Sequence, residues 1–476
     1  MVQSVSQQPK SQLTLKPGMH IHLVGIGGSG LSAIGQVLLG KGYQVSGSDR
    51  QVNQLSAELA AAGATIYQGH AAENIKGADV VLISSAIPAK NPEIVAAHEA
   101  GIPVVKRADF LGALMSGTHG IAVAGTHGKT TTTGMVAQIL VEAGLDPSVI
   151  VGGVLPALGS NGRAGQGEFF VIEADEYDYM FLGLRPRTAV VTNVEYDHPD
   201  LFPTADVYRQ AFKDFISMLP SGGKLVVCSD DAGVTRVVQE TDMPGVTVVT
   251  YGLGNADWQA VDLRVNQSGG TDFLVQNGSE IVGLARLRIP GEHNVRNALA
   301  AIAVSHGLGI DFAVICQVLA EFGVGRRFQV VGEVGDVTVV DDYAHHPTEI
   351  QATLAAARQR FPGRRIWAVW QPHTFSRTRL LLSKFATSFA NADRVVLLDI
   401  YGSRETDNLG MDTRAVLKAI EHPAAHLAGG MEDATTYIMD RVRPSDVVLT
   451  LTAGDGNLVG QWLLERLEKR VLNGTS

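Results

Sequence analysis

The segment from Gly125 to Thr130, Gly-Thr-His-Gly-Lys-Thr, contains the residue types that hold nucleotide phosphates. It follows the apolar run GIAVA and precedes a helix-like stretch, TTTGMVAQIL. Backbone amides and the ammonium of Lys129 would bind β- and γ-phosphates, and the hydroxyl of Thr130 would reach Mg²⁺. The first glycine of the general P-loop pattern would fall at Val123, so that pattern is not met in full. The strand, the glycine turn and the Gly-Lys-Thr sequence still predict a P-loop.

The next two predicted strands end in groups that suit a metal–phosphate site. Glu173 ends the run FFVIE, and His198 follows the run TAVVTNV. Because parallel strands carry ligand sites at their carboxyl ends, we expect both side chains at one sheet edge. A carboxylate and an imidazole there could meet on phosphate-bound Mg²⁺. Taken alone, His198 would be interpreted as a surface loop histidine.

A second glycine turn, Gly25-Ile-Gly-Gly-Ser-Gly30, lies between the first strand-like run and a helix-like segment. Asp49 closes the following run, about 20 residues later, as in the dinucleotide-binding fingerprint. Such a turn lets the backbone approach a diphosphate closely, and the acid can bind a ribose hydroxyl. Three interpretations stay open: an NAD-dependent dehydrogenase, a turn that only packs strand against helix, and a site for a nucleotide-sugar.

The elements that must position these residues are βαβ units. β-branched runs alternate with Ala- and Leu-rich helical stretches, and this alternation restarts after Gly117 and again after the GVGRR segment. At roughly 150 residues per domain, 476 residues suggest about three domains. We expect domains at residues 1–117, 118–324 and 325–476. Between Pro244 and Pro290 the pattern predicts antiparallel hairpins, which we interpret as a β-rich flap on the middle domain.

Composition excludes several classes of protein. The 45% hydrophobic content rules out intrinsic disorder, and the 53 glycines show no collagen period. A net charge of −10 argues against a general nucleic-acid or anionic-membrane surface. Cys228 and Cys316 are too few for a disulfide framework, so we expect buried thiols and a cytoplasmic location. Residues 1–18 lack the apolar run of a signal peptide, and no apolar stretch approaches the ~18 residues of a membrane span.

Seven motifs in fixed order carry a family resemblance. They are GTHGKTTT, EADEYD, TNVEYDHPD, GEHNVRNALAAIA, VGRRF, VDDYAHHPTEI and QPHTFSRT, and the likeness runs from about His20 to the C-terminus. Together they resemble the Mur ligases of peptidoglycan synthesis, a process that supports cell shape and division. In that family Gly-Thr-x-Gly-Lys-Thr is the usual P-loop form, which explains Val123. The resemblance implies an α/β protein of three domains: a Rossmann-like UDP-sugar domain, a central P-loop ATPase and a Rossmann-like amino-acid domain.

The resemblance also implies roles for individual residues. The UDP-sugar site would comprise Gly27, Gly28, Ser29, Gly30, Asp49, His70, Ser84 and Arg107. The ATP site would comprise Gly125, Thr126, His127, Gly128, Lys129, Thr130, Thr131, Asn294, Asn297, Arg326 and Asp342, with His293 nearby. Mg²⁺ would be held by Thr130, Glu173 and His198. The amino acid would face Tyr343, His345 and Arg377, and the catalytic groups would be Lys129, Glu173, His198 and His345.

The implied reaction is ATP-dependent amide formation. A carboxylate of UDP-N-acetylmuramate would take the γ-phosphoryl group of ATP, and the amine of L-alanine would then displace phosphate. GIGGSG and QPHTFSRT favour an alanine-adding member, whereas EADEYDYMF leans towards a member that recycles a whole tripeptide. TAGDGN near the C-terminus departs from the more usual GAG pattern. A dehydrogenase or a P-loop switch or transport ATPase would leave part of these motifs unused. The expected partners are small molecules, without nucleic acid or membrane, and the expected state is a monomer or homodimer.

Overall fold

The first of three sheets in the computed structural model is fully parallel, with strand order β3-β2-β1-β4-β5. The structure describes residues 13–472. The strands of this sheet are β1 (His20–Val24), β2 (Gln44–Asp49), β3 (Thr65–Gln68), β4 (Val80–Ile83) and β5 (Val104–Lys106). Its helices are α1 (Ser29–Gly40), α2 (Gln54–Ala61), α3 (Pro92–Glu99) and α4 (Arg107–Leu114). Helices cover this parallel sheet, and its central strands β1 and β4 are mainly apolar for that reason.

The second sheet has ten strands in the order β15-β14-β13-β12-β11-β10-β6-β9-β7-β8. The strands are β6 (His119–Ala124), β7 (Ser148–Leu155), β8 (Ser160–Arg163), β9 (Phe169–Glu173), β10 (Pro186–Val191), β11 (Lys224–Cys228), β12 (Thr247–Gly252), β13 (Trp258–Val265), β14 (Thr271–Asn277) and β15 (Glu280–Leu287). The helices are α5 (Lys129–Glu142), α6 (Ala205–Ile216), α7 (Ala232–Gln239), α8 (Glu292–His306) and α9 (Phe312–Glu321). β6 lies between β9 and β10, so the P-loop emerges near the centre of the sheet.

The third sheet has six strands in the order β16-β17-β21-β18-β19-β20. The strands are β16 (Gln329–Val334), β17 (Val337–Asp342), β18 (Arg365–Gln371), β19 (Arg394–Leu398), β20 (Ala425–Gly429) and β21 (Asp446–Thr452). The helices are α10 (Pro347–Arg360), α11 (Phe375–Leu380), α12 (Leu382–Ala386), α13 (Thr413–Ala419), α14 (Met431–Met439) and α15 (Leu458–Leu472). Apolar clusters lie on both faces of this sheet, which completes the predicted three-part α/β fold.

The segment between Pro244 and Pro290 differs from its prediction. β12 pairs in parallel with β11, because α7 carries the chain back to the same end of the sheet. Only β13–β15 form antiparallel hairpins, and they extend the ten-stranded sheet rather than forming a separate flap. The predicted domain boundaries after residues 117 and 324 fall between the sheets, and we propose them as the boundaries of three domains.

Contacts between the first two sheets fix how the turns face each other. Helix α1 packs on the β7–β8 hairpin, where the Asn161 side-chain amide donates to the carbonyl of Ser29 at 2.8 Å. Ser85 donates a hydrogen bond to Asp178 at 2.7 Å, and Lys106 pairs with the same carboxylate. The first glycine turn is therefore tied to the middle sheet from both sides.

The remaining predictions concern solubility and thiols. Every helix within residues 13–472 is too short or too polar to cross a lipid bilayer. Residues 1–12, part of the segment for which we predicted no signal peptide, lie outside the described residues. Cys228 is a buried thiol as predicted, whereas Cys316 is only half-buried.

Candidate active site

The second glycine turn connects β6 to α5 and positions Lys129. Gly128 has a φ of +80°, and a Cβ there would clash with the side-chain oxygen of Asn297. Only glycine fits both conditions. The ammonium of Lys129 donates to the carbonyls of Gly125 (2.5 Å) and Thr126 (3.1 Å) and pairs with Glu176 at 2.9 Å. Burial opposes its charge, but Glu176 and neighbouring acids raise the pKa of Lys129, so it stays a cation.

Thr130 and Glu173 form a small set of oxygen ligands beside Lys129. The Thr130 hydroxyl donates to Glu173 Oε1 at 3.0 Å, and the backbone amide of Gly152 donates to Oε2 at 2.6 Å. Burial raises the pKa of Glu173. A Cβ at Gly152 would lie 2.8 Å from Glu173 Oε2, so this glycine keeps room for the carboxylate. A hydroxyl and a carboxylate are oxygen ligands of the kind that Mg²⁺ prefers, so the residues fit that ion.

His198, the third predicted metal ligand, lies beside Glu176. Its Nε2 is 3.6 Å from Glu176 Oε1, and its φ is +53°. Glu176 in turn pairs with Lys129, so this carboxylate connects His198 to the P-loop. The structure thus brings Thr130 and Glu173 into contact. His198 approaches the P-loop through Glu176, which lies between it and Lys129. Sequence reasoning missed Glu176, although it lies in the EADEYD motif that supplied Glu173.

A cavity of about 300 Å³ lies next to the P-loop, between the second and third sheets. Of the predicted ATP residues, its walls include His127, Gly128, Thr131, Asn294, Asn297 and Asp342. They also include Asn193, Asp230, Tyr251, Arg296, Arg327 and Phe328, which the sequence did not indicate, and His293. The remaining predicted residues Gly125, Thr126, Lys129 and Thr130 form the adjoining turn. The cavity therefore continues the P-loop into a partly open cleft with polar and aromatic walls.

Arg326 does not line this cavity. Its guanidinium donates to Asp341 at 2.9 Å and to the carbonyl of Thr452 at 2.7 Å, both within the third sheet. The neighbouring Arg327 lies on the cavity wall instead. Asp342 is buried and accepts hydrogen bonds from the amides of Phe328 and Ala344, and burial raises its pKa to about 6. Asp342 therefore holds the backbone at Phe328 and Ala344, before and after the first two strands of the third sheet.

His127 joins the P-loop to the third sheet. Its Nε2 lies 3.3 Å from Glu195 and its Nδ1 lies 3.2 Å from Glu349. Burial alone would lower its pKa, but these two carboxylates raise the pKa of His127 to about 9. The His346 ring lies tilted against the His127 ring, with 4.7 Å between ring centroids. His127 is therefore an imidazolium held between acids of two sheets.

The predicted amino-acid residues meet at the same edge. Nδ1 of His345 lies 2.9 Å from the carbonyl of Tyr343, so Nδ1 carries the proton and Nε2 keeps a lone pair. Burial lowers the pKa of His345 to about 4, which keeps the ring neutral. Arg377 is committed to Asp197, with contacts of 2.7 and 3.1 Å, and its side chain is only 5% exposed. The predicted pairing of Arg377 with a substrate carboxylate stays a prediction, and it would require Arg377 to leave Asp197.

The first glycine turn is held by hydrogen bonds with an acidic and an amide side chain. Asp49 accepts a hydrogen bond from the amide of Gly27 at 2.9 Å, and Asn53 donates to the carbonyl of Gly27 at 2.8 Å. A Cβ at Gly30 would clash with the guanidinium of Arg107. Ser84 lies against Gly25 on the other side of the turn. Gly28 caps α1, and Ser29 is its first residue. His70 lies nearby, after β3, and contacts Ser48.

Comparison with known proteins matches every part of this architecture. Residues 20–119 match the "Mur ligase family, catalytic domain", residues 123–305 the "Mur ligase middle domain", and residues 326–454 the "Mur ligase, glutamate ligase domain". A UDP-N-acetylmuramate–L-alanine ligase of Syntrophotalea carbinolica is 45% identical over 94% of this chain and 98% of its own length.

Solved structures give the same result. The crystal structure of UDP-N-acetylmuramate–alanine ligase MurC from Thermotoga maritima has a TM-score of 0.81 at 29% identity, covering 95% of this chain and 99% of that one. A murein peptide ligase from Psychrobacter arcticus has a TM-score of 0.73 at 28% identity, covering 94% and 99%. The chain therefore belongs to the Mur ligase family.

Proposed function

We propose that this protein joins L-alanine to the lactyl carboxylate of UDP-N-acetylmuramate and converts ATP to ADP and phosphate. The observation that carries the proposal is the 45% identity, over 94% of the chain, to a relative named for this reaction. The site geometry supports it, because a protonated lysine, a hydroxyl and a buried carboxylate surround the P-loop beside a partly open cavity. The same substrates suit a cytoplasmic enzyme.

Each sheet contributes one substrate site in this proposal. The first glycine turn, with Asp49, His70, Ser84 and Arg107, would bind the UDP-sugar. The P-loop, the cavity and residues such as Asn294 and Asn297 would bind ATP. Thr130 and Glu173 would hold Mg²⁺, with His198 close by. Tyr343 and His345 of the third sheet would face L-alanine.

The first step is phosphoryl transfer to a carboxylate. A carboxylate is a poor acyl donor, so the γ-phosphoryl group of ATP supplies a leaving group by forming an acyl phosphate. Lys129 stabilises the negative charge that develops on the transferring group, and positioning provides most of the catalysis. Mg²⁺, when bound, would neutralise phosphate charge at the same place. Lys129 must leave the carbonyls of Gly125 and Thr126 to do so, because phosphate oxygens replace those acceptors.

The second step needs an unprotonated amine. The alanine amine attacks the acyl carbonyl, expels phosphate and forms the amide, and a base must take its proton. His345 is our candidate because its Nδ1 faces the carbonyl of Tyr343, which leaves the lone pair on Nε2 to accept a proton. The variant His345→Ala should form acyl phosphate at the wild-type rate and slow amide formation. An unchanged overall rate would eliminate His345 as the base.

The decisive experiment measures phosphate release with UDP-N-acetylmuramate, ATP and a panel of amines. The panel contains L-alanine, L-serine, glycine and the L-Ala-γ-D-Glu-diaminopimelate tripeptide. We expect release to require the sugar nucleotide and to be fastest with L-alanine. Dependence on tripeptide alone would instead indicate a recycling ligase, like the murein peptide ligase with which this chain shares its fold. Phosphate release without any acceptor would indicate a simple ATPase, and NADH formation would indicate a dehydrogenase.

A further inference from the structure

The first sheet contains a buried carboxylate that the reaction above does not use. Glu93 lies in the first turn of α3 and is fully buried. It accepts hydrogen bonds from Ser48 Oγ and Asn74 Nδ2, each at 2.7 Å, and lies 3.1 Å from His70 Nδ1. Burial alone would raise its pKa, but the nearby His22, 3.6 Å away, and the hydrogen bonds from Ser48 and Asn74 lower the pKa of Glu93 to about 2. A fixed negative charge therefore lies beneath His70.

The hydrogen bonds around Glu93 determine which nitrogen of His70 carries a proton. The hydroxyl of Ser48 has one proton, and it donates that proton to Glu93. Its oxygen can therefore only accept from His70 Nδ1, which is 2.9 Å away. The ionised carboxylate can also only accept. Both neighbours thus require a proton on Nδ1 and leave Nε2 pointing away from the buried pair.

His70 lies at the sheet edge where the first glycine turn is found. Ser48 is near the carboxyl end of β2, and the amide of Gly69 donates to the carbonyl of Asp49 at 2.7 Å. Asp49 also binds the turn through the amide of Gly27. His70 is 16% exposed, whereas Glu93 is not exposed at all. One buried acid is therefore connected through one histidine to the edge at which ligands of parallel sheets bind.

We propose that Glu93 is a positioning residue for the sugar nucleotide: it holds His70 with the proton on Nδ1, so that the bare Nε2 accepts a hydrogen bond from a hydroxyl or N–H group of the nucleoside. This proposal rests on the proposed function, because it assumes that a UDP-sugar occupies the first glycine turn. It excludes a phosphate oxygen as the partner of Nε2, since two acceptors cannot share a hydrogen bond. His70 therefore contributes to recognition of the nucleoside rather than to neutralisation of the diphosphate.

Kinetics of two single variants test the role. Glu93→Gln keeps the shape of the side chain and removes its charge. We expect the KM for UDP-N-acetylmuramate to rise about ten-fold, with kcat and the KM for ATP within about two-fold of wild type. Glu73→Gln, at an exposed acid in the short 3-10 turn Ala72–Ile75 after β3, should change neither constant. A wild-type KM in Glu93→Gln, or a loss confined to kcat, would overturn the proposal.

A double-mutant cycle separates positioning from general support of the fold. If Glu93 acts through His70, adding Glu93→Gln to His70→Ala should raise the KM no further. If the KM of the double variant rises by the product of the two single effects, Glu93 acts independently of His70 and the proposal is overturned.

The tautomer can be observed in the wild-type enzyme, so the test does not depend on a variant that folds. In protein with ¹⁵N-labelled histidine, assigned with His70→Gln, we expect a protonated Nδ1 and a bare Nε2 at pH 8. A proton on Nε2 would contradict the proposal. Failure of the proposed function is distinguishable, because wild type would then release no phosphate with UDP-N-acetylmuramate and L-alanine.

Discussion

The two glycine turns of this protein occupy the same place between a strand and a helix and have different surroundings. The turn at Gly25–Gly30 is held by the carboxylate of Asp49 and the amide of Asn53. The turn at Gly125–Thr130 surrounds the ammonium of Lys129, which is paired with the buried Glu176. Both follow a parallel strand and begin a helix. The glycines therefore provide only close approach to phosphate, and the neighbouring side chains decide what happens to it.

This difference suggests a division of labour. A turn with an acid and no lysine suits a diphosphate that stays intact and a sugar that must be recognised. A turn with a buried cation, a hydroxyl and a carboxylate suits a phosphoryl group that moves, because charge stabilisation is strongest where water is excluded. The four predictions below test this comparison, from the largest effect to the smallest.

Loss of Lys129 should have the largest effect. Lys129→Ala removes the cation that would stabilise the transferring phosphoryl group, and we expect kcat/KM for ATP to fall about 10³-fold. The measurement is coupled ADP release at saturating UDP-N-acetylmuramate and L-alanine. Lys418→Ala, an exposed lysine of the third sheet's α13, serves as the control and should retain full activity. Activity in Lys129→Ala within ten-fold of wild type would contradict the assignment.

Loss of the Glu173 charge should have the second largest effect. Glu173→Gln keeps the hydrogen bonds to Thr130 and Gly152 possible but weakens binding of Mg²⁺. We expect kcat to fall about 10²-fold and the Mg²⁺ concentration for half-maximal activity to rise. Glu168→Gln, an exposed acid just before the same strand, is the matched control. An unaltered Mg²⁺ dependence would show that the ion is held elsewhere.

The sequence was sufficient for the parts of this molecule that depend on local pattern. Alternating β-branched and helical runs predicted three parallel units, and strand–turn–helix contexts located both glycine turns. The ends of β6 and β9 placed Lys129, Thr130 and Glu173 at one edge, as parallel topology requires.

The parts that depend on long-range pairing could not be predicted in this way. Glu349 meets His127 from a different sheet, and Asp197 meets Arg377 across 180 positions of the chain. Apolar alternation in β12 specifies an extended strand but not its partner, so its parallel pairing with β11 was missed. Glu93 was not singled out from the sequence, because nothing in the neighbouring residues indicates that Ser48 and His70 surround it.

Paired glycine substitutions should separate the two turns with effects of about ten-fold. Gly30→Ala, which would press on Arg107, should raise the KM for UDP-N-acetylmuramate about ten-fold and leave the KM for ATP unchanged. Gly128→Ala should do the opposite, since its Cβ would meet Asn297. Gly42→Ala controls for backbone strain, because Gly42 also has a φ of +80° but has open space around it. If the KM for UDP-N-acetylmuramate and the KM for ATP rise equally in either variant, the two turns do not have separate ligands.

The smallest effect concerns the ion pairs that His127 makes with Glu195 and Glu349 at the second turn. Folding raises the pKa of His127 to about 9, so these pairs stabilise the protein fully below the unfolded pKa near 6.5. The stabilisation is lost as pH rises through about 9. Thermal midpoints of wild type and His127→Gln should therefore differ by on the order of 2 °C at pH 6 and converge by pH 10.

The control for this pH series is the exposed His98→Gln, which should follow wild type at every pH. A gap between wild type and His127→Gln that widens towards alkaline pH would contradict the direction of the pKa shift.

Calorimetric titration of UDP-N-acetylmuramate into the Lys129→Ala variant tests the division of labour most directly. If the first turn binds the sugar nucleotide and the second only moves phosphate, the Kd for UDP-N-acetylmuramate should stay within about three-fold of wild type although phosphate release is lost. Loss of UDP-N-acetylmuramate binding in this variant would contradict the account, because the sugar nucleotide would then depend on the same turn as ATP.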